Sequence, residues 1–324
     1  MVEFIGSHTG IEKTLVPMEG YTLYALPLAG LAGSPIAQAR ASLLSLRATI
    51  RCTRIIQRLR PRAVLGVGGY ASAPAVIAAR ILGVPTFLHE QNSVPGRVNR
   101  LASRFTTQTL TTFPDAARRL GNAVWVGMPT RTEIFTASRE GALRDLSLKP
   151  PIVLIFGGSG GALRINLAAA EAFGGSTPYT VVQVSGRRDF ARLSTDNPRH
   201  IIVDYVDDLW RYLAASDVVV SRAGAGSLFD IAAARKAAIL IPFPYATGDH
   251  QLQNARYFTD RGAAELMLDT EVGASALRGR VEGLLGNERR REELAKRIGR
   301  LATPDAAGEV ARRLLCAKEK EWGQ

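Results

Sequence analysis

The segment from Val218 to Ala234 constrains the fold more than any other part of the chain. It opens with a β-branched run, passes through a turn of glycine, alanine and serine, and continues as a helix with Asp230 one turn in. A run so short and apolar is typical of a buried strand. The small residues leave backbone N–H groups open to a phosphate, and Asp230 could accept two hydrogen bonds from a ribose. The segment therefore predicts either a nucleotide site or an ordinary strand-to-helix connection.

Short apolar strands alternate with helices along the rest of the chain. This order predicts α/β sheets that are parallel and doubly wound, with ligands bound at the carboxyl ends of the strands. A chain of 324 residues is long for one core, so we expect two domains. We place them at 1–134 and 135–304, and we expect a C-terminal helix at 305–324 to pack back on the first domain.

The charge indicates an anionic partner. The chain has 41 basic and 29 acidic residues, a net charge of +12, which fits a phosphorylated substrate, an acidic membrane, nucleic acid or simply a basic proteome. No basic segment is interleaved with aromatic residues, so we do not expect nucleic acid. No apolar run reaches the ~18 residues that span a bilayer. Two distant cysteines indicate a reducing compartment and no metal-binding pattern.

One predicted helix, residues 35–59, has two apolar faces. Leu44, Ala48, Cys52, Ile55 and Leu59 share a stripe that we assign to the core. A basic stripe beside it includes Arg47, Arg51 and Arg54, and beyond the arginines lie Leu43, Leu46 and Ile50. Leucines beyond a basic stripe are typical of a membrane-surface helix. The alternative is that these apolar residues pack under the neighbouring loop, residues 28–36.

Two further polar or glycine-rich segments follow predicted strands. Gly157-Gly158-Ser159-Gly160-Gly161 leads into a helix and predicts a phosphate loop. It lacks the Gly-Lys-Ser/Thr of a Walker loop and the later acidic residue of a dinucleotide fingerprint. His89-Glu90-Gln91-Asn92 ends another strand. It is either part of a ligand site or a structural hydrogen-bond network.

Taken together, three blocks of sequence resemble the MurG family of peptidoglycan glycosyltransferases. They are Gly66-Val67-Gly68-Gly69-Tyr70 with His89-Glu90-Gln91-Asn92, Gly157 to Ala162, and Ser221 to Ala234 with Asp249-His250-Gln251. The resemblance implies a GT-B fold, in which two Rossmann-like domains with doubly wound parallel sheets face a cleft. It also implies transfer of N-acetylglucosamine (GlcNAc) from UDP-GlcNAc, with inversion, to the 4-hydroxyl of N-acetylmuramic acid in lipid I. The product is lipid II, used in cell wall synthesis and so in cell shape and division.

The resemblance also assigns roles to individual residues. The diphosphate is assigned to Gly157, Gly158, Ser159, Gly160 and Gly161. The rest of the donor is assigned to Asn92, Arg131, Val206, Ala225, Gly226, Ser227, Leu228, Phe229, Asp230 and Gln251, with Asp230 on the ribose where the family usually has glutamate. The acceptor is assigned to Gly68, Gly69 and Tyr70. Glu90 is the candidate base, since the histidine usually proposed for that role is absent.

That histidine belongs to a Gly-Gly-Thr-Gly-Gly-His loop that the family carries near its start, and no such loop occurs in this sequence. The first residues already resemble the family's second strand, so we expect an incomplete first sheet. The implied partners are UDP-GlcNAc as substrate, lipid I, and an anionic membrane at the cytoplasmic face of the bacterial cell, with no cofactor or metal. The alternatives are another UDP-sugar transferase of GT-B fold and a catalytically impaired protein that only binds UDP-sugars.

Overall fold

The computed structural model describes residues 1–28, 34–158 and 161–317, and its chain divides into two compact units. The first unit is Met1–Val126 with the chain from Gly308 onward, and the second is Gly127–Ala307. Every strand pair in the described residues is parallel. The predicted parallel α/β fold class is thereby confirmed.

The first unit holds two sheets. Its elements are β1 (Phe4–Ser7), α1 (Glu12–Met18), β2 (Leu23–Leu26), α2 (Pro35–Leu59), β3 (Val64–Gly66), α3 (Gly69–Ile81), β4 (Thr86–Glu90), α4 (Arg97–Ala102), β5 (Gln108–Thr111), α5 (Pro114–Ala117) and β6 (Ala123–Trp125). Strands β1 and β2 pair with each other, and β3 to β6 form a second sheet in sequence order. One core, which includes Leu26, Cys52 and Ala78, packs α2 and α3 against both sheets.

The second unit is built on one six-stranded sheet. Its elements are α6 (Thr132–Thr136), α7 (Arg139–Asp145), β7 (Ile152–Phe156), α8 (Leu163–Phe173), β8 (Thr180–Val184), β9 (His200–Val203), α9 (Leu209–Ala215), β10 (Val218–Ser221), α10 (Ala225–Ala233), β11 (Ala237–Leu240), α11 (His250–Thr259), β12 (Glu265–Leu266), α12 (Ala274–Leu285) and α13 (Glu288–Gly299). Three 3₁₀ turns lie at Phe190–Arg192, Thr247–Asp249 and Asp269–Glu271. The strand order is β12-β11-β10-β7-β8-β9.

That strand order creates a switch point at the centre of the second sheet. From β7 the chain adds β8 and β9 on one side, and then returns to place β10 on the other side. Every residue of β7 and of β10 is buried, as apolar runs in a parallel sheet covered on both faces should be. Phe156 and Ser221 are paired in register at the carboxyl ends. Loops that leave neighbouring strands at such a point diverge, and the crevice between them is the usual ligand site of open α/β sheets.

The chain passes between the units at Val126 and Gly127, ahead of the boundary we predicted at residue 134. The Met128 N–H donates to Thr303 Oγ1 at 3.0 Å, which ties this segment to the end of the second unit. A β-carbon at Gly127 would lie 2.4 Å from that threonine, so only glycine fits. Residues 127–134 therefore fold with the second unit.

The last helix, α14 (Ala306–Leu315), returns the chain to the first unit. Val310 lies in a core cluster with Phe87, Leu110 and Val126, and Arg313 donates to the side chain of Gln108 at 3.0 Å. The predicted continuation of this helix through residues 318–324 lies outside the described residues.

Helix α2 buries the face that the sequence assigns to the core. Ala48, Cys52 and Ile55 are buried, and Leu44 and Leu59 are half-buried. The three apolar residues beyond the basic stripe are exposed, at 49% for Leu43, 60% for Leu46 and 49% for Ile50. Such exposure argues against packing under the neighbouring loop, although residues 29–33 of that loop lie outside the described residues. No helix in the described parts of the chain is long and apolar enough to cross a membrane.

Candidate active site

The carboxyl end of β7 carries the predicted phosphate loop. Gly157 and Gly158 follow the strand, and α8 begins after Ala162, which forms no side-chain cap. The first N–H groups of an uncapped helix have no partner within the helix, and they favour an anion at this position. Gly158 has a φ of +83° and open space around its α-carbon, as a close approach by a ligand requires. Ser159 and Gly160 lie outside the described residues.

A buried polar network supports this loop from behind. Gly161, at φ +74°, packs so closely on Ser185 that a β-carbon would lie 2.7 Å from the serine carbonyl. Asn166 on α8 donates to that same carbonyl at 2.8 Å and to Asp189 Oδ2 at 3.0 Å. The loop is therefore fixed to the segment that follows β8. Sequence reasoning did not single out Asn166, because its partners lie 19 and 23 residues further along the chain.

The carboxyl end of β10 carries the second glycine turn. Gly224 is the N-cap of α10 and provides no side-chain cap. Three of the six predicted donor-binding residues here are buried: Ala225, Leu228 and Phe229. The Phe229 ring stands edge-on to Phe258 at 5.6 Å in the core. The Leu228 and Phe229 side chains therefore pack the helix against its unit, and only Gly226, Ser227 and Asp230 keep partly exposed side-chain positions.

Asp230 lies in an environment that disfavours its charge. Burial raises the pKa of this carboxyl to about 6 from 3.8, and the positive charge of Arg131 opposes that rise. The opposing effect indicates that the structure brings Arg131 and Asp230 near each other, as a shared nucleotide site requires. A half-buried carboxylate with few protein partners is suited to accept hydroxyl groups of a ligand.

Val206 lies in the turn between β9 and α9, at the edge of the sheet that also carries the phosphate loop. It is half-buried. Beside it, the Arg187 guanidinium stacks 5.0 Å from the centre of the Tyr205 ring. A stacked arginine and tyrosine offer a flat surface that fits a nucleobase. Sequence reasoning named the backbone of Val206 and missed this pair, because the two residues are far apart in sequence.

Gln251 lies in the first turn of α11. This helix follows β11, the strand next to β10 in the second sheet. Its Oε1 accepts a hydrogen bond from the Phe243 N–H at 2.9 Å. An N–H donor requires the amide oxygen, so this bond fixes which way the amide group is turned. The amide nitrogen remains to donate to a ligand.

In the first unit, the strand ends bring together the predicted acceptor loop and the His-Glu-Gln-Asn block. Gly68 and Gly69 have φ values of +88° and +71°, which only glycine adopts without strain. They lead into α3, where Tyr70 is 43% exposed. Strands β3 and β4 are neighbours, and Gln91 Nε2 donates to the Val67 carbonyl at 2.7 Å. The two loops therefore form one cluster.

Glu90, the candidate base, is only 2% exposed, and both of its oxygens are occupied. Oε1 accepts from the Asn92 N–H at 3.0 Å, and Oε2 accepts from the Gly96 N–H at 2.9 Å and from Asn99 Nδ2 at 2.8 Å. A base needs a free lone pair directed at the proton it removes. This geometry favours a role in which Glu90 shapes the 91–96 loop and so positions Asn92. In the described residues no three His, Cys, Asp or Glu side chains are grouped to hold a metal ion.

Comparisons with known proteins agree with this arrangement. The glycosyltransferase family 28 N-terminal domain matches residues 1–111, and the family 28 C-terminal domain matches residues 152–310. A crystal structure of MurG from Acinetobacter baumannii superposes with a TM-score of 0.76 at 28% identity, over 98% of this chain and 91% of that one. A UDP-GlcNAc 2-epimerase from Neisseria meningitidis shares the fold, with a TM-score of 0.66 at 13% identity over 95% of this chain and 90% of that one. The chain is a glycosyltransferase of the GT-B fold.

Proteins with similar sequences show which family of glycosyltransferases the chain belongs to. The chain is 63% identical to the UDP-N-acetylglucosamine–N-acetylmuramyl-(pentapeptide) pyrophosphoryl-undecaprenol N-acetylglucosamine transferase of Rubrobacter xylanophilus, over 99% of this chain and 97% of the relative. It is 34% identical to the protein of the same name from Anaeromyxobacter sp. strain K, over 99% of this chain and 86% of the relative. The chain belongs to the MurG family.

The raised pKa of Asp230 predicts a pH-dependent cost to the fold. The folded state binds the proton more tightly than the unfolded state, so stability falls as pH rises from about 4 through 6 and stays lowered above that. Asp230→Asn should therefore raise the free energy of unfolding by about 1–3 kcal/mol at pH 7.5 and by little near pH 4. Urea unfolding at both pH values measures this. The exposed Asp207 provides the control, Asp207→Asn, and an equal effect of Asp230→Asn at the two pH values contradicts the prediction.

The hydrogen bonds of Glu90 predict a defect in the loop. In Glu90→Gln one amide NH₂ must face a backbone N–H, so the variant should lose about 1–3 kcal/mol of stability. The backbone amides of residues 91–94 and of Gly96 should exchange faster with deuterium. Glu133→Gln, at an exposed helix position, is the control. If Glu90 were only the base, the variant would unfold like the wild type, keep the slow exchange and lose kcat alone.

Proposed function

We propose that this chain transfers GlcNAc from UDP-GlcNAc to the 4-hydroxyl of N-acetylmuramic acid in lipid I, with inversion, and so makes lipid II for peptidoglycan. One observation carries the proposal beyond family membership. Two uncapped helices, α8 and α10, begin after β7 and β10, which pair directly at the switch point of the second sheet. Two such N-termini beside one another provide the donors that a nucleotide diphosphate requires.

The donor is proposed to bind along this edge of the second sheet. The glycine turn after β7 takes the diphosphate, and Asp230 takes the ribose hydroxyls. The backbone at Val206 recognises the uracil edge, with the stacked Arg187 and Tyr205 beside it. The amide nitrogen of Gln251 donates to the sugar.

The chemistry then depends on stabilising the leaving group. When the bond between the anomeric carbon and the diphosphate breaks, negative charge grows on UDP. Preorganised N–H groups at a helix start stabilise that charge without reorganising. Arg131, near Asp230, adds a positive charge to the same half of the site. The acceptor hydroxyl attacks the anomeric carbon from the opposite face and gives up its proton to a base.

The acceptor is proposed to bind the first unit, at the cluster formed by Gly68, Gly69 and Tyr70. The positive φ values at Gly68 and Gly69 favour glycine, so no side chain covers the backbone at these two positions. Helix α3 also begins without a side-chain cap. Asn92, held by Glu90, is proposed to bind the transferred sugar.

Binding and turnover together test the proposed activity. By calorimetry the wild type should bind UDP-GlcNAc more tightly than UDP-glucose, and it should transfer labelled GlcNAc to a short-chain lipid I analogue. Gln251→Ala removes one hydrogen bond to the sugar. It should weaken UDP-GlcNAc binding about tenfold and leave UDP binding within about twofold.

The outcomes separate the alternatives. Donor binding with no transfer to the lipid I analogue indicates a protein that only binds UDP-sugars. Transfer that prefers another UDP-sugar, or an acceptor without the diphosphate lipid, indicates a different transferase of the same fold. Either result overturns the proposed function while leaving the fold and family intact.

We further propose that α2 binds an anionic membrane surface at the cytoplasmic face of the cell. Leu43, Leu46 and Ile50 are exposed on one side of the helix, and the neighbouring stripe of Arg47, Arg51 and Arg54 is exposed as well. Apolar side chains that enter lipid while arginines meet headgroups would account for this pattern.

Vesicle sedimentation tests the membrane proposal. Changing Leu43, Leu46 and Ile50 together to serine should weaken binding to phosphatidylglycerol vesicles at least about tenfold, since a buried leucine contributes about 1.5–3 kcal/mol. UDP-GlcNAc affinity should not change. The matched control changes three exposed apolar residues of the second unit, Leu167, Ile201 and Leu268, to serine. Equal vesicle binding by the two triple variants would contradict the membrane proposal.

A further inference from the structure

Arg222 is a buried cation at the carboxyl end of β10, beside the proposed donor site. It follows β10 directly and is only 7% exposed. Removing a guanidinium from water is costly unless its charge and its donors are matched. The contacts that match it therefore show what the residue holds in place.

Those contacts come from two other segments of the same edge. Nη1 lies 2.6 Å from Asp269 Oδ1, in the 3₁₀ turn after β12. The same nitrogen donates to the carbonyls of Ile241 and Pro242, at 3.3 and 3.1 Å, where β11 ends. The guanidinium also stacks 5.4 Å from the centre of the Phe243 ring. One side chain thus joins the segments that follow β10, β11 and β12.

The held segment orients a residue of the donor site. The N–H of Phe243, next to the two carbonyls that Arg222 binds, donates to Gln251 Oε1 at 2.9 Å. The position of this backbone therefore sets the direction of the Gln251 amide. A second tether acts in parallel, because Asn254, fully buried on the same helix as Gln251, donates to the Ala223 carbonyl at 3.3 Å.

We propose that Arg222 is a positioning residue for recognition of the donor sugar, acting through Phe243 and Gln251 without touching the ligand. The proposal rests on the role of Gln251 in the proposed function. It predicts that Arg222 affects the sugar end of UDP-GlcNAc and not the UDP end. A residue that merely stabilised the fold would affect both ends alike.

The test uses Arg222→Lys. Lysine keeps the charge, but it lacks the planar guanidinium that stacks on the Phe243 ring and places Nη1 between the carboxylate and the two carbonyls. Asp269 keeps a second arginine, since Arg164 Nη1 lies 3.7 Å from its Oδ2, so the variant should fold. Calorimetry should show UDP-GlcNAc affinity about tenfold weaker and UDP affinity within about twofold of wild type.

A matched control lies at the other end of the same strand. Arg139 forms a two-bond ion pair with Asp217, at 2.7 and 3.0 Å, and Asp217 immediately precedes β10. Arg139→Lys disturbs a buried end of the same strand and loses some stability, but it is far along the strand from Gln251. It should leave the ratio of UDP-GlcNAc to UDP affinity unchanged.

A double-variant cycle decides whether Arg222 acts through Gln251. If it does, Arg222→Lys combined with Gln251→Ala should bind UDP-GlcNAc no more weakly than Gln251→Ala alone. Additive losses, or equal losses of UDP and UDP-GlcNAc affinity in Arg222→Lys, overturn the positioning role. A wild type that binds UDP-GlcNAc no more tightly than UDP-glucose overturns the proposed donor site instead, and the assignment of Arg222 with it.

Discussion

The pairing of β7 with β10 is the interaction on which the donor half of the molecule depends. Four residues of each strand are matched in register, ending at Phe156 beside Ser221. This pairing brings the N-termini of α8 and α10 close together, although β8 and β9 lie between β7 and β10 in the sequence. The glycine turn after β7 is proposed to take the diphosphate, and the turn after β10 places Asp230 beside it for the ribose. The proximity of the two turns follows from the strand order, so the proposed binding chemistry depends directly on the topology.

Several features could be predicted from the sequence because they depend on local pattern. The glycine turns, the buried strands and the core face of α2 all follow from residue type and spacing. The burial of Leu228 and Phe229 was also open to prediction, because they share the apolar spacing of α10 with Ile231 and Ala232. A family resemblance assigned them to the ligand. Helical periodicity assigns their side chains to the core and leaves the backbone and Asp230 facing outward.

Other features depend on contacts that no local pattern reveals. Arg222 binds carbonyls 19 and 20 residues later in the chain. Asn166 binds a carbonyl 19 residues away and is joined through Gln183 to His200. The ring of His200 is buried among neutral partners, which lowers its pKa to about 4 and keeps it uncharged at neutral pH. Asn166, Gln183 and His200 therefore stiffen the predicted phosphate loop as neutral side chains, and only the folded sheet brings them together.

The arrangement of charge explains how this edge remains suitable for an anionic ligand. Asp189 lies so near Gly161 that a β-carbon there would meet its carboxylate at 2.8 Å, and a bare carboxylate would repel a diphosphate. Arg188 donates to both of its oxygens and lowers its pKa. Arg222 pairs with Asp269, with 2.6 Å between Nη1 and Oδ1. Asp189 can then accept the hydrogen bond from Asn166 that holds the loop, while the paired arginine offsets its charge. The uncapped helix N-termini are then the groups proposed to attract the phosphates of the donor.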